Sequence, residues 1–72
     1  MGNDVLERLG QRVKYFRKKA HFTQEVLAEK VNVHPTYIGK IELGKNNPSF
    51  VLLYKIIRAL NTDFKTFFDE LN

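Results

Sequence analysis

Apolar residues recur every three or four positions along the first twenty residues of the chain, which is the spacing of one face of an α-helix. The recurring residues are Leu6, Leu9, Val13, Phe16 and Ala20. Charged and polar side chains occupy most of the positions between them. The pattern predicts a helix from about Asp4 to Ala20 whose apolar face packs in a core.

The segment that starts at Thr23 has the start and stop signals of a short helix. Thr is a residue type that caps helix N-termini through its side-chain oxygen. Leu27, Ala28 and Val31 then follow at helical spacing and give one narrow apolar face. Asn32 comes where this helix must end, because Asn tolerates the left-handed backbone that closes many helices.

A second short helix is expected to begin directly after this turn. Pro35 is favoured at the first helical position, and it biases His34 towards the extended conformation of a cap. Ile38 and Ile41 have the spacing of a buried face, and Gly44 is suited to close the helix. Two short helices joined by a tight turn are typical of the helix-turn-helix, in which the second helix docks in the major groove of DNA.

Two more helices are expected in the last third of the chain. Ser49 predicts the start of a fourth helix that reaches Asn61, and Asp63 predicts a short fifth helix. The residues expected to fill the inward face of the fourth helix are Phe50, Leu53, Ile56 and Leu60. No segment reads as a strand, so we predict an all-α fold, a compact five-helix bundle in a single domain over residues 1–72.

Length and charge narrow the class of protein. A chain of 72 residues holds one small core, which is marginal unless a partner buries more area. The formal net charge of +4 fits a polyanionic partner, although such charges are common in proteins that bind no nucleic acid. The excess lies in residues 1 to 20. There, Lys18 and Lys19 are expected either to contact phosphates or to belong to a solvated face.

Several function classes have no support in the residues. The chain has no Cys, no apolar run long enough for a membrane and no signal-peptide pattern, so we expect a cytoplasmic protein without membrane contact. Ser49 is the only Ser, and no glycine-rich phosphate loop or paired His spacing occurs. We therefore expect no enzyme, metal site, cofactor or small-molecule ligand. His21 and His34 are interpreted as exposed turn residues, with DNA contact an alternative for His34.

A set of residues at fixed spacing runs through the two central helices and the segment after them. Its members are Thr23, Gln24, Glu25, Leu27, Ala28, Tyr37, Ile38, Glu42, Gly44, Lys45, Asn47, Pro48 and Ser49. This set resembles the helix-turn-helix proteins of the Cro and phage-repressor (XRE) type, and the resemblance covers nearly the whole chain. It implies a lambda-repressor-like fold. Asn32, His34 and Pro35 depart from the pattern, where relatives carry a turn Gly, a Ser or Thr cap and a polar residue.

The resemblance also implies which residues bind DNA. It places base contacts at Pro35, Thr36, Gly39 and Lys40, and phosphate contacts at Gln24, Tyr37, Lys45, Asn46 and Asn47. Three of these residues have simpler interpretations. Gly39 would serve helix packing, Tyr37 would be a core aromatic residue, and Lys45 would be an ordinary solvated lysine.

Two structural pairings are expected as well. The match of Phe16-Arg17 and Ile41-Glu42 to the family pattern implies an ion pair between Arg17 and Glu42. The excess of apolar side chains over one small core predicts a homodimer with two-fold symmetry, built from the fourth and fifth helices. Its expected contacts are Leu52, Phe67, Phe68 and Leu71. Packing of these side chains within their own chain is the alternative.

Together these expectations describe a sequence-specific DNA-binding transcriptional regulator. We expect a repressor or autoregulator that binds a palindromic operator in double-stranded DNA as a homodimer. The resemblance favours small stand-alone regulators, such as the controller proteins of restriction-modification systems. The competing hypothesis is a protein-interaction module, for instance an antitoxin-like protein whose helices bind another protein.

Overall fold

The computed structural model of the protein describes residues 4–69, and this part of the chain forms five helices and no strand. The helices are α1 (Asp4–Lys19), α2 (Gln24–Val31), α3 (Pro35–Glu42), α4 (Phe50–Ala59) and α5 (Phe64–Phe68). The all-α fold with five helices is therefore confirmed. The predicted limits agree to within one or two residues, the usual uncertainty of a helix end.

The caps of α2 and α3 produce the tight turn between them. The backbone N–H of Val26 donates to Thr23 Oγ1 at 3.0 Å, and Asn32 ends α2 in the left-handed conformation, with φ 62°. Two residues later the imidazole of His34 caps α3, because its Nδ1 accepts from the N–H of Thr36 at 3.1 Å. The predicted start and end of each helix in the motif are confirmed.

The core is formed by one face of every helix. Its side chains with less than 2 % exposure include Val13, Leu27, Ile38, Ile41, Ile56, Ile57 and Phe67. Each short helix thus has residues buried against other helices. Because isolated helices of eight residues are unstable in water, this packing rather than helix propensity holds α2 and α3 together.

The prediction that Phe50 faces the core is wrong. Its side chain is 70 % exposed, whereas Ile57, which follows at helical spacing, is fully buried. The first turn of α4 lies at the edge of the core, where the ring of Phe50 stacks on that of Phe64 at a centroid distance of 5.6 Å. The apolar stripe of α4 therefore extends beyond the core at its N-terminal end.

Phe67 also lies elsewhere than predicted. Its ring is fully buried and stacks on Phe16 of α1 at 5.7 Å, so it belongs to the core of its own chain and not to a dimer surface. Arg12 fixes α5 in this position, because its guanidinium donates to the carbonyl oxygens of Phe67 and Thr66 at 2.8 and 3.0 Å. The alternative of intrachain packing applies to this residue.

Asp63 caps α5 through a charge-assisted hydrogen bond. The N–H of Thr66 donates to Asp63 Oδ1 at 2.7 Å, and this backbone bond is the main reason why the pKa of Asp63 lies below its ordinary value of 3.8. A lowered carboxyl pKa means that the cap stabilises the fold above the ordinary pKa. Its contribution is lost as the pH falls through the lowered value.

Two glycines let α1 lie directly against the end of α3. A Cβ at Gly10 would come within 2.3 Å of the carbonyl oxygen of Ile41 and 2.6 Å of that of Glu42. A Cβ at Gly44, where φ is 76°, would come within 2.9 Å of the Cα of Glu7. The sequence gives no local signal for the role of Gly10, because the contact joins residues far apart in the chain.

This contact predicts that Gly10→Ala destabilises the protein although Ala is the better helix former. The added methyl meets rigid backbone, so we expect a loss of about 1–3 kcal/mol in the free energy of unfolding. Gly39→Ala is the matched control, because the atoms nearest to a Cβ there belong to the flexible Gln24 side chain, the first of them at 3.5 Å. That variant should gain about 1 kcal/mol. Urea titration measures both, and equal effects of the two changes would contradict the close contact.

Candidate nucleic-acid interface

A buried ion pair joins α1 to the end of α3. Arg17 Nε donates to Glu42 Oε2 at 2.6 Å and Arg17 Nη2 donates to Glu42 Oε1 at 3.1 Å, so the pair is bidentate. The side chains are only 9 % and 3 % exposed. The third guanidinium nitrogen donates to the carbonyl oxygen of Phe22 at 2.8 Å, just before α2. One arginine therefore holds three parts of the chain in register.

Gln24 extends this network to the surface of the motif. Its Nε2 donates to Glu42 Oε1 at 3.0 Å, and its side chain lies beside Gly39 of α3. The hydrogen bond uses one of the two amide hydrogens and leaves the other amide hydrogen and Oε1 for a ligand. Sequence reasoning missed this link, since the phosphate contact predicted for Gln24 gave no reason to pair it with Glu42.

The predicted base-contacting residues share one side of α3. Thr36 and Lys40 are exposed, and Pro35 and Gly39 are half-buried. Residues four apart on a helix lie one above the other, so Thr36 lies over Lys40 and Pro35 over Gly39. The opposite side of α3 carries Ile38 and Ile41, which are buried in the core. The core thus fixes which side of α3 is presented to solvent.

Glycine at position 39 is not required by packing within the chain. The three atoms nearest to a Cβ at this position all belong to the Gln24 side chain, at 3.5, 3.8 and 3.9 Å, which is ordinary van der Waals contact. The packing interpretation of Gly39 therefore has no support in the structure. Close approach of a ligand to this part of α3 is the remaining physical reason for a glycine.

The predicted phosphate-contacting residues lie around this exposed side. Tyr37 is half-buried and packs against the core, so the core interpretation holds for part of its ring. Lys45 and Asn47 are exposed and Asn46 is half-buried in the loop that joins α3 to α4. The N–H of Lys45 donates to the carbonyl oxygen of Lys40 at 2.9 Å, which holds the start of the loop against α3.

Lys40 and Lys45 give this surface its positive charge. Within residues 4–69, no carboxylate forms an ion pair with Lys40 or Lys45. Their positive charges are therefore available to an external anion. The surface that combines α3, the start of α2 and the loop from Lys45 to Asn47 is called the reading surface below.

The described part of the chain has neither a metal-binding cluster nor a membrane-spanning helix. Residues 4–69 contain no group of three or more His, Cys, Asp or Glu side chains that could hold a metal ion. None of the five helices there has the length and apolar character needed to cross a membrane.

Comparison with known proteins identifies the motif. A helix-turn-helix family model matches residues 13–67, which include the whole reading surface. The chain belongs to the helix-turn-helix family of DNA-binding transcriptional regulators. The XRE resemblance that the sequence predicts is thereby confirmed.

Relatives of this helix-turn-helix protein cover most of its length. An HTH-type transcriptional regulator of Archaeoglobus fulgidus is 46% identical over 57 residues, 79% of this chain and 80% of the relative. The control protein C.MunI of Mycoplasma sp is 36% identical over 70 residues, 96% of this chain and 95% of the relative. The restriction-modification controller protein C.Esp1396I, solved as a tetramer with its natural 35 base-pair operator, superposes with a TM-score of 0.83 at 33% identity, covering 93% of this chain and 88% of that one.

The buried ion pair generates a stability prediction. Glu42→Ala leaves the guanidinium of Arg17 buried without its carboxylate, so we expect the free energy of unfolding to fall by about 3–5 kcal/mol in a urea titration. Asp4→Ala is the control, because the Arg8–Asp4 pair is 3.6 Å long and its side chains are 37% and 70% exposed. Breaking that pair should cost about 0–1 kcal/mol. A loss within this smaller range for Glu42→Ala would reject a structural role for the buried pair.

Proposed function

We propose that the protein is a cytoplasmic, sequence-specific transcriptional regulator, a repressor or autoregulator, that binds a palindromic operator as a homodimer. The observation that carries the proposal is the exposed side of α3, on which Thr36 and Lys40 lie together while a buried ion pair fixes the helix. Family membership supports it, because the second helix of such a motif lies in the major groove.

The base-reading step is assigned to α3. Lys40 donates to guanine O6 and N7, and Thr36 forms a hydrogen bond or offers its methyl group to a thymine. Pro35 has no polar side-chain atom, so its contact is apolar and suits a thymine methyl group. Gly39 carries no side chain, which lets the backbone beside Gln24 approach the base edges closely.

The phosphate-binding step is assigned to residues on either side of α3. Gln24 is held by Glu42 and lies at the first turn of α2, where the positive end of the helix favours an anion. Lys45 supplies an unpaired charge from the loop. Tyr37, Asn46 and Asn47 complete the clamp through their polar ends. Such contacts fix the register of the protein on DNA without reading its sequence.

The two lysines should behave differently when removed. Lys40→Ala should lose about 1–3 kcal/mol of binding free energy on the selected operator and relax the preference at one symmetric base pair. Lys45→Ala should weaken binding to every duplex alike and lower the salt slope by about one unit per contact, or roughly two in a dimer.

Binding isotherms measured across salt on the operator and on a scrambled duplex separate these effects. The operator is first obtained by selection from a random pool of duplexes. If both variants bind equally and show no salt dependence, the assignment of Lys40 to base contacts and of Lys45 to phosphate contacts is wrong. If the unchanged protein prefers no duplex, the proposed function is wrong.

The homodimer is assigned to a row of aromatic rings on α4 and α5, which we call the aromatic surface. Phe50 and Tyr54 in this row are exposed, and Phe64 and Phe68 are half-buried. Phe50 stacks on Phe64 at 5.6 Å, Tyr54 lies 6.0 Å from Phe64, and Phe64 lies 6.0 Å from Phe68. Val51 beside them is 61% exposed. Apolar side chains arranged contiguously on a surface mark a protein interface.

The aromatic surface revises the contacts expected from the sequence. Phe68 belongs to it, and Leu52 is half-buried against the core of its own chain. Phe67 is excluded because it is buried, and Leu71 lies outside the described residues. Two-fold symmetry through this surface should set the two copies of α3 about 34 Å apart, one turn of DNA.

A charge on the aromatic surface should separate the subunits without unfolding them. Phe50→Glu should raise the dimer dissociation constant by about tenfold or more, because it places a carboxylate in an apolar interface. Phe50 is largely exposed in one chain, so the subunit should remain folded. Val5→Glu on α1, at a residue that is 67% exposed, is the control and should leave the dimer unchanged. Sedimentation equilibrium measures both. A chain that is monomeric at high micromolar concentration contradicts the dimer.

The aromatic surface also supports a second candidate, an antitoxin-like module that binds a different protein. In that case a stoichiometric protein partner co-purifies with the chain and no duplex is selected from the random pool. Protection of a palindromic site by the purified protein decides for the regulator.

A further inference from the structure

The start of α3 has already used its backbone donors. Pro35, the first helical residue, has no N–H. The N–H of Thr36 donates to His34 Nδ1 at 3.1 Å, and the N–H of Tyr37 donates to the carbonyl oxygen of His34 at 3.0 Å. A helix end with free N–H groups attracts anions directly. Here the first three positions of α3 offer no such group.

The cap fixes the tautomer of His34. A nitrogen that accepts a hydrogen bond carries no proton, so the neutral imidazole must carry its proton on Nε2. The two nitrogens lie on opposite sides of the ring. Because Nδ1 is turned to the backbone of α3, Nε2–H is directed away from it, and His34 is exposed to solvent. No acceptor within residues 4–69 bonds this group.

We propose that His34 Nε2–H donates a hydrogen bond to operator DNA, and that the cap is what aims it. The acceptor is either a phosphate oxygen or the N7 or O6 of a purine, all of which take one N–H donor. The inference rests on the proposed function, which brings the start of α3 to the major groove. His34, which stands where relatives have a Ser or Thr cap, thereby both caps the N-terminus of α3 and supplies a donor that can reach DNA.

Two substitutions separate the cap from the donor. In His34→Asn, the side-chain oxygen takes the place of Nδ1 and caps the helix well, but the remaining donor, the amide nitrogen, reaches less far than Nε2. In His34→Gln, the amide nitrogen reaches about as far as Nε2, whereas the cap is poor. All variants are compared at pH 8, where histidine is ordinarily neutral. The temperature is one at which every variant is folded.

The two variants are expected to rank in opposite orders for stability and for binding. His34→Asn should unfold at the same or a higher urea concentration than the unchanged protein, yet bind the selected operator about two- to tenfold more weakly per subunit. Its salt slope should not change, because a neutral donor releases no counterion. His34→Gln should be the least stable, yet bind more tightly than His34→Asn. Long-range proton–nitrogen NMR spectra should show the Nε2–H tautomer in the free protein.

Several results would overturn the inference. Operator binding by His34→Asn that equals that of the unchanged protein would show that His34 only caps the helix, and the proposed function would stand. An Nδ1–H tautomer, or weaker binding by Gln than by Asn, would also reject it. Absence of any duplex preference in the unchanged protein would reject this inference and the proposed function together. Loss of preference at one symmetric base pair in His34→Asn identifies a purine acceptor, whereas uniform weakening identifies a phosphate.

Discussion

The carboxylate of Glu42 connects three helices at once. It accepts two hydrogen bonds from Arg17 of α1 and a third from Gln24 of α2, and it stands at the end of α3. Removing charged groups from water is costly, and such a pair adds less net stability than its short distances imply. The pair fixes the orientation of the helices that carry it, because a bidentate contact between planar groups is satisfied in only one orientation. The orientation of α3 relative to α1 and α2 follows from it.

The ion pair can form only because the backbones approach closely beside it. Gly10 lies against the last carbonyl groups of α3, and Gly44 lies against the first turns of α1. Any larger residue at these positions would separate the helices. A short helix with little stability of its own is thereby held in place by its neighbours.

The protein has one polar, positively charged surface and one aromatic surface. The reading surface carries Lys40, Lys45 and polar side chains, whereas the aromatic surface on α4 and α5 carries stacked rings. Arg58 lies at the edge of the aromatic surface, with its guanidinium 5.7 Å from the centre of the Tyr54 ring. Such a small domain buries a limited share of its surface, so apolar residues such as Phe50 and Val51 remain exposed. Both surfaces depend on the same core, since Ile38 on α3 and Ile56 on α4 are fully buried in it.

The sequence by itself determined the helices and their ends. Thr23, Ser49 and Asp63 each cap a helix by accepting an N–H from the residue three positions later, and Asn32 takes the left-handed conformation that ends α2. Such contacts are local, so residue type and spacing are enough to predict them. The family pattern, carried by residues at fixed spacing, likewise gave the pairing of Arg17 with Glu42.

Only the tertiary structure decided which apolar residues are core and which polar groups meet. Phe50 and Phe67 look alike in the sequence, yet one is 70% exposed and the other fully buried. The close contact at Gly10 and the bond from Gln24 to Glu42 join residues far apart in the chain. A helix that is apolar on several sides has no single predicted orientation. The neighbouring helices decide which of its sides is buried. The periodicity of one segment carries no information about the shape of those neighbours.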